Sequence, residues 1–169
     1  MTSQKPYYIE PVVDKDMPLL LKLNNNAAPA VNELTVDKFN ILCQKSELLI
    51  KAVTEKGPCG FLMVLPSGLN YKSLNYQWFS KAYSSFLYID RIIVCPEEAQ
   101  TGIGTAMYRH LFEHARKTGW NRINCEVNIR PKNESSLYFH KKLGFHPLGT
   151  QETEGGTKTV QFYTRTIDF

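Results

Sequence analysis

The hydrophobic positions of this chain change period several times along its length, and each change marks an element. Residues 7–12 form a short run of strand type that stops near Pro11. Asp16 then opens a helical pattern. Leu19, Leu20 and Leu23 supply its apolar stripe, and Pro18 sits in the first turn, where a missing N–H does no harm. The segment NNNAAP, residues 24–29, breaks that helix. A second short helix over residues 35–44 carries Val36, Phe39, Ile41 and Leu42. Residues 47–54 and 59–65 are rich in Leu, Ile, Val and Phe, and the EKGP between them is a turn signal, so the two read as a β-hairpin. Residues 66–84, PSGLNYKSLNYQWFSKAYS, read as a long polar and aromatic connection, a length usually kept for function. Residues 86–94, FLYIDRIIV, are apolar almost throughout, which predicts a central strand buried on both faces.

The second half is more regular. A helix over residues 102–117 places Ile103, Met107, Leu111 and Ala115 at a spacing of four, one stripe facing a sheet. Residues 122–128 are another strand. A helix over residues 133–143 has Asn133 as its N-cap and Gly144 just past its end. Residues 145–151 and 157–166 make two last strands joined by a turn at Gly155 and Gly156. The order is βααβββαβαββ. Its strand–helix–strand–helix–strand stretch requires crossovers, hence some parallel pairing and an α/β (α+β) class.

Composition narrows the partners more than the fold. With 169 residues, 43% hydrophobic and 21% charged, the chain suits one domain spanning residues 1–169, not a disordered tail, a collagen-like repeat or a coiled coil. No apolar stretch reaches the length of a membrane helix, and MTSQKPYYIEP lacks the apolar block of a secretory signal. Twenty Lys and Arg against sixteen Asp and Glu leave a net charge of +4. That balance suits a small polyanion and is too weak to argue for nucleic acid. Cys43, Cys59, Cys95 and Cys125 are scattered with no C-x-x-C pair, as expected of reduced core thiols in a cytoplasmic protein. His110 and His114 have the spacing of a metal pair, but Leu111 stands where H-E-x-x-H needs Glu, so no metal site is expected.

Two stretches carry chemistry. In PEEAQTGIGTA, residues 96–106, a buried strand runs into a glycine-bearing turn that opens a helix. Gly102 and Gly104 let backbone approach a ligand, and the first helical amides offer a phosphate site. Met107 stands where a dinucleotide fingerprint wants its third glycine, and no P-loop motif is present. The second stretch is NESSLYFHKKLGF, residues 133–145. A strand ending in V-x-P-E, a G-x-G helix start, a further strand and then N-x-x-[AS]-x-x-[FL]-[YH]-x-K-x-G-F together resemble the GNAT superfamily of acyl-CoA-dependent N-acetyltransferases. The match covers residues 86–149 well. PAVNEL, NYQWF and YIDRIIV further resemble a predicted-acetyltransferase subgroup of bacterial type.

The resemblance implies a largely antiparallel central sheet with one parallel pairing at a cofactor cleft, and acetyl-CoA as cofactor. It implies that the backbone of Ile92, Ile93 and Val94 meets the pantetheine and the thioester. Gln100, Thr101, Gly102, Ile103, Gly104 and Thr105 would wrap the pyrophosphate. Asn133 would hydrogen-bond the pantetheine arm, with Ser136 and Phe139 beside it. Ala99 stands where the family has Arg or Gln, and Gln100 follows it. His140 holds the position of the family's tyrosine general acid, and an imidazolium can protonate a thiolate. The alternative is that His140 only packs and water supplies the proton.

A base is also needed, because an amine is mostly protonated at pH 7 and must lose a proton before it attacks. Glu126 in NCEVN and Asp90 in YIDRIIV are carboxylates in otherwise apolar strands, where desolvation favours a base. Glu126 is the first choice. Asp90 is the second, since Arg91 beside it suggests a structural ion pair. Tyr71, Tyr76, Trp78, Phe79 and Tyr83 would either wall an acceptor pocket, with Asn24 on its other side, or form a satellite core. Cys95 could serve as a nucleophile, though direct transfer is commoner in the resembled family. The expected activity is acetyl transfer from acetyl-CoA to a primary amine, small-molecule or peptide, by direct attack. The alternative is a non-catalytic acyl-CoA-binding module. Homodimer formation through a sheet edge or the final hairpin stays open.

Overall fold

A computed structural model describes residues 6–169. The strands are β1 (Tyr8–Pro11), β2 (Leu48–Thr54), β3 (Gly57–Pro66), β4 (Leu87–Val94), β5 (Arg122–Arg130), β6 (His146–Thr153) and β7 (Lys158–Thr166). The helices are α1 (Met17–Asn26), α2 (Val36–Lys45), α3 (Leu74–Ala82), α4 (Ile103–Thr118) and α5 (Glu134–Lys142). The strand order is β1-β2-β3-β4-β5-β7-β6, with β4 and β5 parallel and the pairs β1·β2, β2·β3, β5·β7 and β6·β7 antiparallel. The α/β (α+β) class expected from the pattern, and the largely antiparallel sheet with one parallel pairing that the resemblance implies, are the ones observed.

The chain divides into two compact units, Met1–Leu65 with Ile89–His114, and Pro66–Tyr88 with Ala115–Phe169. In the first unit β3 runs from Cys59 to Leu65 with every side chain buried, as an inner strand covered on both faces should. Phe39 of α2 meets Phe61 of β3 edge to face, with ring centroids 6.0 Å apart. Leu20, Leu42, Ile103, Met107 and Leu111 are buried too. Two buried cations, Lys51 and Arg91, are found among the described residues of this unit. Lys51 Nζ lies 2.6 Å from Asp16 Oδ2, and both side chains are nearly fully enclosed.

In the second unit β5 pairs with β7 so that Glu126 faces Phe162 and Cys125 faces Tyr163. Residues directly opposite in an antiparallel pair project to the same side of the sheet. On the side of Glu126 and Phe162 stands α3, and here the structure corrects the sequence reading. Residues 66–84 are not a continuous connection. Ser73 caps a helix by accepting a hydrogen bond from the Tyr76 amide at 3.3 Å, and Leu74–Ala82 follows. Its buried residues, Tyr76 and Phe79, are aromatic, a class with middling helix propensity. Tertiary burial supplies what propensity lacks.

The other elements fall within one to three residues of expectation. Asn133 caps α5, accepting from the Ser136 amide at 3.2 Å. All four stripe residues of α4, Ile103, Met107, Leu111 and Ala115, are buried. Among the described residues no helix is long and apolar enough to cross a membrane.

Candidate active site

In the first unit the C-terminal half of β4 leads into the glycine-bearing turn. Ile92 and Val94 are half-buried and Ile93 is buried. The backbones of β3 and β4 approach closely here. The Cys95 amide donates to the Cys59 carbonyl at 2.7 Å, and an added Cβ on Gly60 would lie 2.4 Å from the Ile93 carbonyl oxygen. One 3-10 turn, Pro96–Glu98, follows. Thr101 Oγ donates to the Glu98 carbonyl at 2.7 Å. Gln100 (φ 61) and Gly102 (φ 88) take the left-handed conformation, which costs Gln100 strain and Gly102 none. The Gly102 carbonyl accepts from the Ala106 amide at 2.9 Å and so begins α4.

The amides of Ile103, Gly104 and Thr105 therefore occupy the first turn of a 16-residue helix, where no intrahelical acceptor exists and the macrodipole is positive. No Lys or Arg lies between Cys95 and Tyr108, so a phosphate here would be held by backbone. Gly102 and Gln100 are exposed at this turn. The arrangement fits a pyrophosphate group, whose oxygens need donors and no particular side chain.

Asp90 and Asn24, also in this unit, are engaged structurally. Arg91 Nε donates to Asp90 Oδ2 at 2.7 Å, and Arg91 Nη1 donates to Asn24 Oδ1 at 2.7 Å. Asn24 Nδ2 donates to the Asn32 carbonyl and to Asn25 Oδ1. With Asn24 fully buried, its expected place on the wall of an acceptor pocket is not the one observed. Asn24 instead ties α1 to the following loop and to β4. The sequence reading of Asp90 as half of an ion pair matches its geometry better than the reading as a base.

Cys95 is half-buried. Burial pushes its thiol up from its ordinary value, opposed by the Glu98 amide. A thiol is a poor nucleophile, so nothing here favours a covalent route. His114 Nε2 lies 3.0 Å from Glu47 Oε1. Among the described residues no group of three His, Cys, Asp or Glu is arranged to hold a metal ion.

In the second unit Glu126 is half-buried on β5. Tyr88 Oη lies 2.8 Å from both of its carboxylate oxygens, and Asn75 Nδ2 donates to Oε1 at 3.1 Å. Sequence reasoning missed Tyr88 and Asn75. Tyr88 is brought near by the parallel pairing of β4 with β5, in which it faces Asn124, and Asn75 by the unforeseen helix α3. The period-two alternation of β4 puts Tyr88 and Asp90 on one face, but nothing in the sequence says which residue of β5 lies opposite.

His140 does not suit the role of an imidazolium acid. It is buried, edge-on to Phe139 and Phe145 and stacked on Tyr163 at 6.1 Å. Burial lowers its pKa from the ordinary 6.5, partly opposed by the bond to the Ser136 backbone. Nδ1 lies 2.7 Å from the Ser136 carbonyl, which can only accept. Nδ1 therefore carries the proton in the neutral ring, and Nε2 has none to give. Ser136 is half-buried with its Oγ 3.3 Å from His140 Nδ1, and Phe139 is half-buried beside it. Asn133 Oδ1 is occupied by the α5 cap and by Ser135 Oγ at 3.1 Å.

The aromatic run divides in two. Tyr76 and Phe79 are buried, and the Tyr76 hydroxyl donates to the Pro66 carbonyl at 2.6 Å. They belong to the satellite core, which overturns their expected place as pocket walls. Tyr71, Trp78 and Tyr83 are half-buried. Tyr71 leans edge-on against Tyr76, Trp78 stacks on Phe162 with centroids 4.2 Å apart, and the Arg122 guanidinium lies 4.0 Å above the Tyr83 ring.

A mixed sheet with one parallel pair, a glycine-bearing turn opening α4 and a held carboxylate on β5 define an acetyltransferase-type fold. A sequence model of the Acetyltransferase (GNAT) family matches residues 20–145, well over half of the chain, and the protein belongs to that family. No curated protein sequence matches it. Among solved structures the chain is similar to the ribosomal-protein-S18-alanine N-acetyltransferase from Escherichia coli (TM-score 0.75, 16% identity, 97% of this chain and 96% of that one). It is similar to an N-acetyltransferase from Staphylococcus aureus Mu50 (TM-score 0.74, 17% identity, 96% and 99%). A Salmonella typhimurium protein, solved with its cofactor acetyl-CoA, gives a TM-score of 0.72 at 14% identity over 96% and 94%. At these identities the likeness establishes the fold.

Proposed function

We propose that the protein is an acetyl-CoA-dependent N-acetyltransferase acting on the primary amine of a small molecule or peptide, with Glu126 as the base. The observation that carries this reading is the Glu126 carboxylate. It is partly exposed, sits between the buried Cys125 and Val127 on β5 and is held by Tyr88 and Asn75. Acetyl-CoA would supply an acetyl group activated as a thioester.

The chain's own residues do the rest. The first-turn amides of α4, with Gln100 and Thr101 in the turn before them, bind the pyrophosphate in this reading. Backbone groups of Ile92, Ile93 and Val94 orient the pantetheine, and Asn133, Ser136 and Phe139 border it. Glu126 takes the proton that the ammonium must lose before attack, directly or through one water. His140 holds α5 in place as a neutral ring, and solvent protonates the departing thiolate. Tyr71, Trp78 and Tyr83, all half-buried, would meet the acceptor in this reading. Neither nucleic acid nor membrane enters this reading.

The test is Glu126→Gln. Turnover should fall by about 10²-fold or more, the usual scale of a lost general base. The thermal shift with free CoA should be kept, and CoA and acetyl-CoA should both raise the unfolding temperature where NAD does not. A variant that turns over at the wild-type rate across pH 6 to 9 would remove Glu126 from the role. Binding of acetyl-CoA without acetylation of any amine would leave only a binding module.

A further inference from the structure

The first unit contains a cavity that the proposed chemistry does not use. It lies where α1 and α2 meet the end of β1 and the start of β2, and its volume is about 640 Å³. That is within the range of small-molecule sites. Met17, Leu21, Phe39 and Leu49 contribute apolar wall, and Val13 and Val36 stand at it with side chains about half exposed. Large apolar groups left in water beside a concave wall are what an apolar guest would cover.

The polar part of the lining is small. Asp14 is the only charged side chain in it, accompanied by Asn40, Gln44 and the Cys43 thiol. Among the described residues no hydrogen bond or ion pair engages the Asp14 side chain, whereas its neighbour Asp16 is paired with Lys51. Burial raises the Cys43 thiol to about 11, so it stays neutral at physiological pH and adds no charge. The cavity therefore offers an apolar interior, two neutral amides and one carboxylate at an exposed position.

We propose that this cavity, whose lining shares no residue with those assigned to acetyl transfer, is a ligand site for a small amphipathic cation: an apolar body of roughly six to ten carbon atoms carrying one ammonium group that meets Asp14. An anion would face the only charge in the lining with the wrong sign. A neutral apolar guest would leave that charge unmet.

The test uses the full chain labelled with ¹³C at its methionine methyl groups. Met17 lines the cavity, while Met63 and Met107 are fully buried elsewhere and serve as internal controls. The Met17 resonance is assigned by its loss in Met17→Leu. The chain is titrated with n-hexylamine, 1-hexanol and n-hexanoate. Hexylamine should move Met17 saturably and leave Met63 and Met107 in place. It should bind about fivefold more tightly than hexanol, the most that one exposed charge pair gives, with hexanoate weaker still. Asp14→Asn should erase the preference for the amine and keep hexanol binding.

Three results would overturn the assignment. One is no saturable movement of Met17 with any probe. Another is equal affinity for all three probes in the wild-type chain. The last is a Met17 resonance that moves with protein concentration alone, which would make the cavity a contact between two copies. Because the readout is local and needs no acetyl-CoA, the outcome does not depend on whether Glu126 is the base.

Discussion

Gly60→Ala is the sharpest test of the backbone arrangement at the end of β4. An alanine Cβ at this position would sit 2.4 Å from the Ile93 carbonyl oxygen and 3.2 Å from the Val94 Cα. Ordinary contacts begin near 3.4 Å, so the two strands would have to separate by about 1 Å, since packed interiors do not yield freely. The obstacle is backbone on both sides, and no rotamer change relieves it. Overpacking of this kind costs typically 1 to 3 kcal/mol, and a rigid contact belongs at the upper end, about 3 kcal/mol. At roughly 2 to 4 °C per kcal/mol for a chain of this length, the unfolding midpoint should fall by about 6 to 12 °C. The control is Gly68→Ala. Gly68, unlike Gly60, has a positive φ, of 87°, and nothing lies within 4 Å of its added Cβ, so only backbone strain of about 1 kcal/mol is expected. Differential scanning calorimetry compares the two. The moved segment is the one proposed to orient the pantetheine, so Gly60→Ala should also bind acetyl-CoA more weakly in an isothermal titration at a temperature where it is fully folded. A midpoint for Gly60→Ala within about 2 °C of wild type would refute the close approach of β3 and β4.

Other expectations follow from the buried polar groups. Acidification should destabilise the fold through His140: burial lowers its folded-state pKa below the unfolded 6.5, so the unfolded chain takes up the proton first and stability falls as pH drops past 6.5. Urea midpoints between about pH 5 and 8 should show a shallower slope in His140→Gln than in wild type, and identical slopes would contradict the burial. Asn24→Ala removes the 2.7 Å acceptor of the buried Arg91 guanidinium and should cost about 3 kcal/mol by denaturant unfolding; a loss under about 1 kcal/mol would mean the Arg91 network is not holding α1. Tyr88→Phe removes the hydroxyl 2.8 Å from both Glu126 oxygens. It should lower kcat about tenfold with CoA affinity unchanged, on the scale of one hydrogen bond to a charged group, and an unaltered kcat would detach Tyr88 from the chemistry.

How much of this was legible depends on whether a feature is local. The α4 stripe and the Asn133 cap are written in neighbouring residues and are found where the pattern puts them, whereas β4 is buried on both faces only over its first three residues and leaves Asp90, Ile92 and Val94 half-buried. Glu126 stood out as a candidate because a carboxylate in an apolar strand has to be held by something. What holds it could not be read. Tyr88 is 38 positions away and Asn75 is 51, and neither separation has a periodicity. Helix α3 escaped because its buried residues are aromatics that suit a helix, a strand or a loop lid equally well, and only Phe162 and the sheet beneath decide between them.

His140 marks the opposite limit, where the information was local and chemically ambiguous. Its place in the motif suggested an acid. A helix, however, puts the carbonyl of residue 136 directly beneath the side chain of residue 140, and that carbonyl takes the proton-bearing nitrogen. The Ser136 carbonyl therefore fixes the neutral tautomer in which His140 cannot donate from Nε2. Asp90 and Arg91 carry a similar lesson. Neighbours in a strand point to opposite faces. The long Arg91 side chain instead turns back to Asp90 while its other nitrogen reaches Asn24 across 67 residues. A carboxylate paired in this way with a buried guanidinium is committed to structure, whereas the donors on the half-buried Glu126 are neutral, which is why the proposed base is Glu126.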